Sequence, residues 1–160
     1  MNFEFNITSL DQTQDFAKKL AKNLTPQDVI IMKGDLGSGK TTLSKYIISY
    51  LLGKDTAVTS PTFQLLQIYS NKKVSFPTLD QGFHANDTTI YHYDLYRLKH
   101  RDEIYELGIE DALQGKNIVI IEWPEIIMQI LPKKIIEIEI LLENNYRKYI
   151  VRDSSNKLLL

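Results

Sequence analysis

The run Gly34-Asp35-Leu36-Gly37-Ser38-Gly39-Lys40-Thr41 fits G-x-x-x-x-G-K-[ST], the pattern of a phosphate-binding loop. Each residue type answers a demand of that chemistry. The glycines let backbone N–H groups turn inward and approach phosphate oxygens closely. Lys40 can reach β- and γ-phosphates, and the Thr41 hydroxyl can ligate Mg²⁺. A helix that begins here aims the positive end of its dipole at the anion. Gly37, Ser38, Gly39, Lys40, Thr41 and Thr42 are therefore the candidate nucleotide ligands.

Hydrolysis requires more than a phosphate cradle: a metal, and an acid that positions the metal or the attacking water. In open α/β sheets ligands collect at the C-terminal ends of the strands, so the acid should end a strand near the loop. Two residues qualify. Glu122 closes the apolar run Ile118-Val-Ile-Ile121, and Asp94 closes Ile90-Tyr-His-Tyr93. Each has a plainer alternative, since Glu122 could be a helix-start acid ahead of Pro124 and Asp94 could pair with Arg97. The candidate catalytic set is Lys40, Asp94 and Glu122, with Thr41 and Glu122 the candidate metal ligands. His92 shares a face with Asp94, but a lone strand histidine is more often packed than catalytic. Ser60-Pro61-Thr62 is either a switch segment that senses the γ-phosphate or a proline-fixed turn into a strand.

These residues need elements to position them. Asp28 to Met32 reads as a short buried strand, and Thr42 to Leu52 as a helix with Leu43, Ile47, Ile48, Leu51 and Leu52 on one face and Gly53 at its stop. Upstream, Phe3 to Ile7 alternates as a strand. Ser9 and Gln12 have capping-box spacing, and Phe16, Ala17, Leu20, Ala21 and Leu24 form the stripe of a helix. Downstream, strands are expected over 64–69 and 89–96, short helices over 101–107 and 109–113, and a doubly buried strand over 117–121. A short helix to Ile130 follows, and then a hairpin of 135–142 and 146–152 turning at Asn144-Asn145. Residues 71–88 are polar and rich in turn formers, which fits a long hairpin connection or a mobile loop. The expected fold is α/β: one P-loop NTPase domain over 1–153, with a central mostly parallel sheet, flanking helices and an antiparallel C-terminal hairpin. Residues 154–160 are expected to form a flexible tail.

Composition narrows the setting. The 160 residues carry a net charge of −1, so the chain is no polycation for nucleic acid. There is no cysteine, which excludes disulfides and thiolate chemistry and fits a reducing compartment. Glu4, Asp11 and Asp15 interrupt any signal-peptide pattern and no apolar stretch reaches membrane-spanning length, so a cytoplasmic location without membrane contact is expected.

Gly34-Asp-Leu-Gly-Ser-Gly-Lys-Thr-Thr42, Ser60-Pro-Thr-Phe63, His92-Tyr-Asp-Leu-Tyr-Arg-Leu98 and Ile121-Glu-Trp-Pro124 occur in this order, and together they closely resemble the TsaE family, bacterial ATPases of tRNA threonylcarbamoyladenosine synthesis. The resemblance runs from about Thr13 to about Arg147. It implies a Mg²⁺-dependent ATPase, weak alone, that supports turnover of a TsaD–TsaB pair modifying adenosine 37 of tRNA. The charge balance leaves contact with tRNA indirect, through partners that supply a basic surface. The resemblance also implies Mg²⁺ contacts at Thr41 and Glu122, an activity role for Asp94, a switch role for Thr62, and base-side contacts from the N-terminal helix and final hairpin, placed here at Thr13 and Arg147. Two features depart from the family pattern: a longer segment from Asn71 to Thr89, and Ser38 where alanine is common.

Two other functions fit the same motifs. A P-loop kinase for a small molecule should close an arginine-bearing lid, yet the only arginines are Arg97, Arg101, Arg147 and Arg152. A nucleotide-gated interaction module would use the Thr62 segment without needing hydrolysis. GTP is disfavoured, since Asn71-Lys72-Lys73-Val74 lacks the aspartate of a guanine motif.

Overall fold

The alternating side chains of two strands divide the interior into two cores. In β2 (Val29–Lys33) and β7 (Ile118–Glu122), Ile30, Met32, Ile118 and Ile120 face one layer, while Val29, Ile31, Val119 and Ile121 face the other. A strand buried on both faces can pair only inside a sheet, and β2 and β7 lie side by side in parallel at its centre. The computed structural model describes residues 1–53, 57–70, 74–75, 84–85 and 88–160.

The sheet has seven strands in the order β1-β9-β8-β2-β7-β6-β3. Its middle, β8 (Ile136–Leu142), β2, β7 and β6 (Ile90–Asp94), is parallel. Both margins are antiparallel: β3 (Leu66–Tyr69) against β6, and β9 (Arg147–Asp153) between β8 and β1 (Asn2–Ile7). The hairpin between β8 and β9 turns through residues 143–146, with the Tyr146 carbonyl accepting from the Glu143 N–H. The mixed α/β sheet with an antiparallel C-terminal hairpin matches the architecture expected from the sequence.

Helices α1 (Leu10–Asn23) and α2 (Lys40–Leu52) cover one face. Ser9 caps α1, its hydroxyl accepting from the Gln12 N–H, while the Gln12 side chain reaches back to the Thr8 N–H. The expected stripe of α1 is fully engaged: Phe16, Ala17, Leu20, Ala21 and Leu24 are buried. The other face is covered by α3 (Glu103–Glu106), α4 (Ile109–Gln114) and a 3-10 helix over Pro124–Ile130. Gly108 separates α3 from α4 at φ 70°.

One local reading gains detail and another changes. β3 and β6 pair antiparallel, so the segment between them is the long hairpin connection expected. Within it β4 (Val74–Ser75) and β5 (His84–Ala85) pair as a two-stranded ladder, and the rest lies outside the described residues. The tail after Asp153 is docked rather than free. Leu158 is fully buried, and the Asp153 carboxylate accepts from the N–H groups of Ser155, Lys157 and Leu158. Position at the chain end suggested fraying, whereas one buried leucine and one carboxylate cap fix the chain. Among the described residues no helix is long and apolar enough to cross a membrane.

Candidate nucleotide site

The loop between β2 and α2 is shaped by glycines in conformations that side chains disfavour. Gly34 sits at φ 138°, and a Cβ there would lie 2.4 Å from the Ile140 carbonyl oxygen. Gly39 (φ 106°) precedes α2, which has no side-chain cap and no acidic residue in its first turn. The N-terminal amides of α2 therefore lack an internal anion, the arrangement in which a helix receives a phosphate.

Lys40 is 4% exposed. Its Nζ donates to the carbonyls of Gly34 (2.7 Å) and Asp35 (2.9 Å) and lies 3.9 Å from the centre of the Trp123 ring. Burial pushes its pKa below the ordinary lysine value, against the opposing pull of the Glu122 and Asp94 carboxylates. Trp123 reaches this position from a left-handed backbone (φ 58°), which a bulky residue adopts only when its surroundings hold it there.

The two acids end adjacent parallel strands in register, Asp94 beside Glu122. Glu122 is 1% exposed and turns toward α2, so it is not spent on the helix that follows Pro124. Its Oε2 accepts from Thr41 Oγ1 at 2.7 Å, and its Oε1 is met by Ser44 Oγ at 3.0 Å and His92 Nε2 at 2.7 Å. Asp94 accepts from Thr62 Oγ1 at 2.8 Å and from the Tyr96 N–H at 3.2 Å. Arg97 lies over the Phe63 ring at 4.6 Å, away from the role of partner to Asp94. The Thr62 hydroxyl is also 2.7 Å from Ser60 Oγ, so the Ser-Pro-Thr turn is tied to the end of β6.

Two cavities meet at the loop. One of about 220 Å³ is lined by Leu36, Gly37, Lys40, Thr41, Thr62, Asp94, Tyr96, Glu122 and Trp123. The second, about 230 Å³, is lined by Thr8, Ser9, Leu10, Thr13, Arg147 and Tyr149. Gly39 and Thr42 line both. Lys40, Thr41, Asp94 and Glu122 thus come together in the first cavity, and Thr13 and Arg147 in the second. Ser38 is buried beneath the loop and lines neither, but its carbonyl accepts from Arg147 Nε at 2.9 Å. The sequence reading left out Ser44; His92, read as more often packed than catalytic, is fully buried and meets Glu122. The signal for His92 was present in the strand alternation, which turns it to the same face as Asp94.

A hydroxyl and a carboxylate in contact suit a P-loop metal, which takes its remaining ligands from phosphates and water. Among the described residues no group of three His, Cys, Asp or Glu could hold a metal.

Comparison with known proteins gives concordant matches. The family model described as "Threonylcarbamoyl adenosine biosynthesis protein TsaE" matches residues 7–150. A tRNA threonylcarbamoyladenosine biosynthesis protein TsaE of Rickettsia prowazekii is 45% identical over 142 residues, covering 88% of each chain. That of Rickettsia conorii is 46% identical over 142 residues, covering 88% of this chain and 73% of its own. The Bacillus subtilis protein of that name is 32% identical over 130 residues, covering 81% and 72%. The crystal structure of Bacillus subtilis YdiB superimposes with a TM-score of 0.73 at 23% identity, covering 99% of this chain and 89% of that one, and so shares the fold.

Proposed function

The chain belongs to the TsaE family, and from that premise we propose that it is a Mg²⁺-dependent ATPase that serves tRNA threonylcarbamoyladenosine synthesis as an accessory to a TsaD–TsaB pair in the cytoplasm. The single observation that carries the hydrolytic reading is the 2.7 Å contact between Thr41 and Glu122 at the floor of the glycine loop. It joins the metal-binding hydroxyl of a P-loop to a strand-end acid, the pairing that phosphoryl chemistry requires.

In this reading the loop amides and the start of α2 bind the phosphates. Lys40 leaves the Gly34 and Asp35 carbonyls to face the transferred phosphoryl group. Thr41 and Glu122 would hold Mg²⁺, which when bound neutralises charge between the β- and γ-phosphates. Asp94 orients the attacking water and takes its proton, and Thr62 holds that carboxylate in place. Thr13 and Arg147 flank the base side.

Exposed apolar side chains support a partner-dependent role. Leu36, Phe63 and Tyr96 are 69%, 82% and 50% exposed, and Leu36 and Tyr96 line the phosphate cavity. A partner seated on them would feel whether nucleotide is bound. With a net charge of −1, tRNA contact is left to the partners. The kinase alternative is disfavoured by arginine placement. Arg101 binds Gln129 and Arg152 binds Glu137 and Glu139, so only Arg147 lines the described cavities at the loop.

The test is steady-state ATP hydrolysis by the protein alone and with its matching TsaD–TsaB pair, with Glu122→Ala as control. Hydrolysis that rises with the pair and vanishes in the variant supports the assignment. Robust hydrolysis indifferent to the pair, or phosphate transfer to a metabolite, refutes it.

A further inference from the structure

Sites of this kind usually place an aspartate where this chain has Glu122. The extra methylene adds a torsion, so a glutamate needs more support to keep its carboxylate aimed. That support comes from outside the nucleotide cavity. His92 is fully buried on β6, two residues before Asp94, and lines neither cavity at the loop. Its Nε2 meets Glu122 Oε1 at 2.7 Å, and Ser44 Oγ on α2 lies 3.0 Å from the same oxygen, its one hydrogen shared with the Lys40 carbonyl, also at 3.0 Å. A carboxylate that ligates a metal only accepts hydrogen bonds, so on the reading of Glu122 as a Mg²⁺ ligand Nε2 carries the hydrogen. Nδ1 is buried and has no hydrogen-bond partner among the described residues. A leucine would fill that space without leaving a buried nitrogen unsatisfied. The imidazole therefore contributes little as packing, and its gain lies in the bond to Glu122.

We propose that His92 is a positioning residue for Glu122, with Ser44 as second donor. Together they clamp Oε1, which leaves Oε2 toward Thr41 and the metal. His92 cannot touch nucleotide, so it acts through Glu122. The inference rests on the reading of Glu122 as a Mg²⁺ ligand.

The experiment measures Mn²⁺ binding to the protein–ADP complex by electron paramagnetic resonance, with ADP affinity in EDTA and ATPase kinetics alongside. His92→Leu should weaken Mn²⁺ binding and lower kcat by about 10–100-fold, with ADP affinity in EDTA held within about twofold. His92→Gln, which returns a donor near the Nε2 position, should recover most of the loss. Ser44→Ala should shift Mn²⁺ affinity in the same direction by less. Unchanged Mn²⁺ affinity in His92→Leu while Glu122→Ala weakens it overturns the inference and leaves the Glu122 assignment standing. Unchanged affinity in Glu122→Ala as well overturns both. Equal losses of Mn²⁺ and metal-free ADP affinity indicate a merely structural histidine and also overturn it. Should His92→Leu fail to fold, Ser44→Ala decides: no effect on Mn²⁺ affinity counts against the clamp, and a selective loss supports it.

Discussion

Thr41 Oγ1 donates to Glu122 Oε2 at 2.7 Å, tying the first turn of α2 to the last residue of β7 across 81 positions of sequence. Two groups that act on one metal lose their function together. Thr41→Ala and Glu122→Ala should each lower Mg²⁺-dependent kcat by about 10²–10³-fold, and the double variant should fall little further. A double-mutant cycle on ATP hydrolysis checks this. Additive losses would mean that the two residues serve separate steps.

The Thr62–Asp94 bond makes a different prediction, because a carboxylate that orients water adds nothing to phosphate binding. Asp94→Asn should cost about 10²-fold or more in kcat while nucleotide affinity stays near that of the parent. Thr62→Val, which removes only the hydroxyl that fixes Asp94 Oδ2, should cost less in the same direction. Separate measurement of kcat and of ATP dissociation decides. A loss of affinity at constant kcat would assign Asp94 to binding.

Much of this was legible in the sequence, for identifiable reasons. The glycine loop could be read because its chemistry fixes residue type at fixed spacing. The positions of the two acids could be read because an unbroken apolar run leads into Glu122 and an alternating one into Asp94, and each acid is the last residue of its strand. What periodicity cannot show is how elements meet. The partnership of Ser44 and His92 with Glu122 depends on α2 lying over β6 and β7, and no local pattern encodes that. No local pattern shows the left-handed backbone that turns the Trp123 ring over Lys40. The tail was misjudged because three of its contacts converge on one carboxylate, Asp153, that belongs to the preceding strand.

Gly34 offers a test of the loop itself. A Cβ would lie 2.4 Å from the Ile140 backbone oxygen, and the residue holds φ 138°. Backbone cannot yield as a flexible side chain can, so clash and strain combine. Gly34→Ala should destabilise the protein by about 2–4 kcal/mol and weaken nucleotide binding. Thermal and denaturant unfolding measure the first effect. Gly37→Ala has nothing within 4 Å of its added methyl and should cost less, from strain at φ 79° alone.

Asp153 couples stability to pH. Burial favours its protonated form, but hydrogen bonds from the Ser155 hydroxyl and the N–H groups of Leu158, Ser155 and Lys157 outweigh that and hold its pKa below the ordinary 3.8. A depressed carboxylate contributes its stability in full above the unfolded value and loses it as pH falls through the folded value. The tail should therefore loosen only below about pH 3.8. Asp153→Ala should cost about 2–3 kcal/mol at neutral pH and flatten the acid limb of the stability profile. An unchanged acid limb in the variant would rule out this carboxylate as its source.

Arg147 distinguishes base-side binding from transition-state chemistry. Its Nε donates to the Ser38 carbonyl at 2.9 Å, and it lines the second cavity with Thr13, on the far side of Gly39 and Thr42 from Asp94 and Glu122. A group in that place binds ground state and transition state alike. Arg147→Ala should raise KM for ATP by about tenfold and leave kcat nearly unchanged, because uniform binding affects only saturation. Arg147→Lys should recover little, since a single ammonium cannot both hold the Ser38 carbonyl and present a planar face to the cavity. Thr13→Val should shift KM in the same direction by less, its hydroxyl already donating to the Ser9 carbonyl at 3.2 Å. A fall in kcat without a change in KM would instead place Arg147 against the reacting phosphoryl group, as an arginine finger acts.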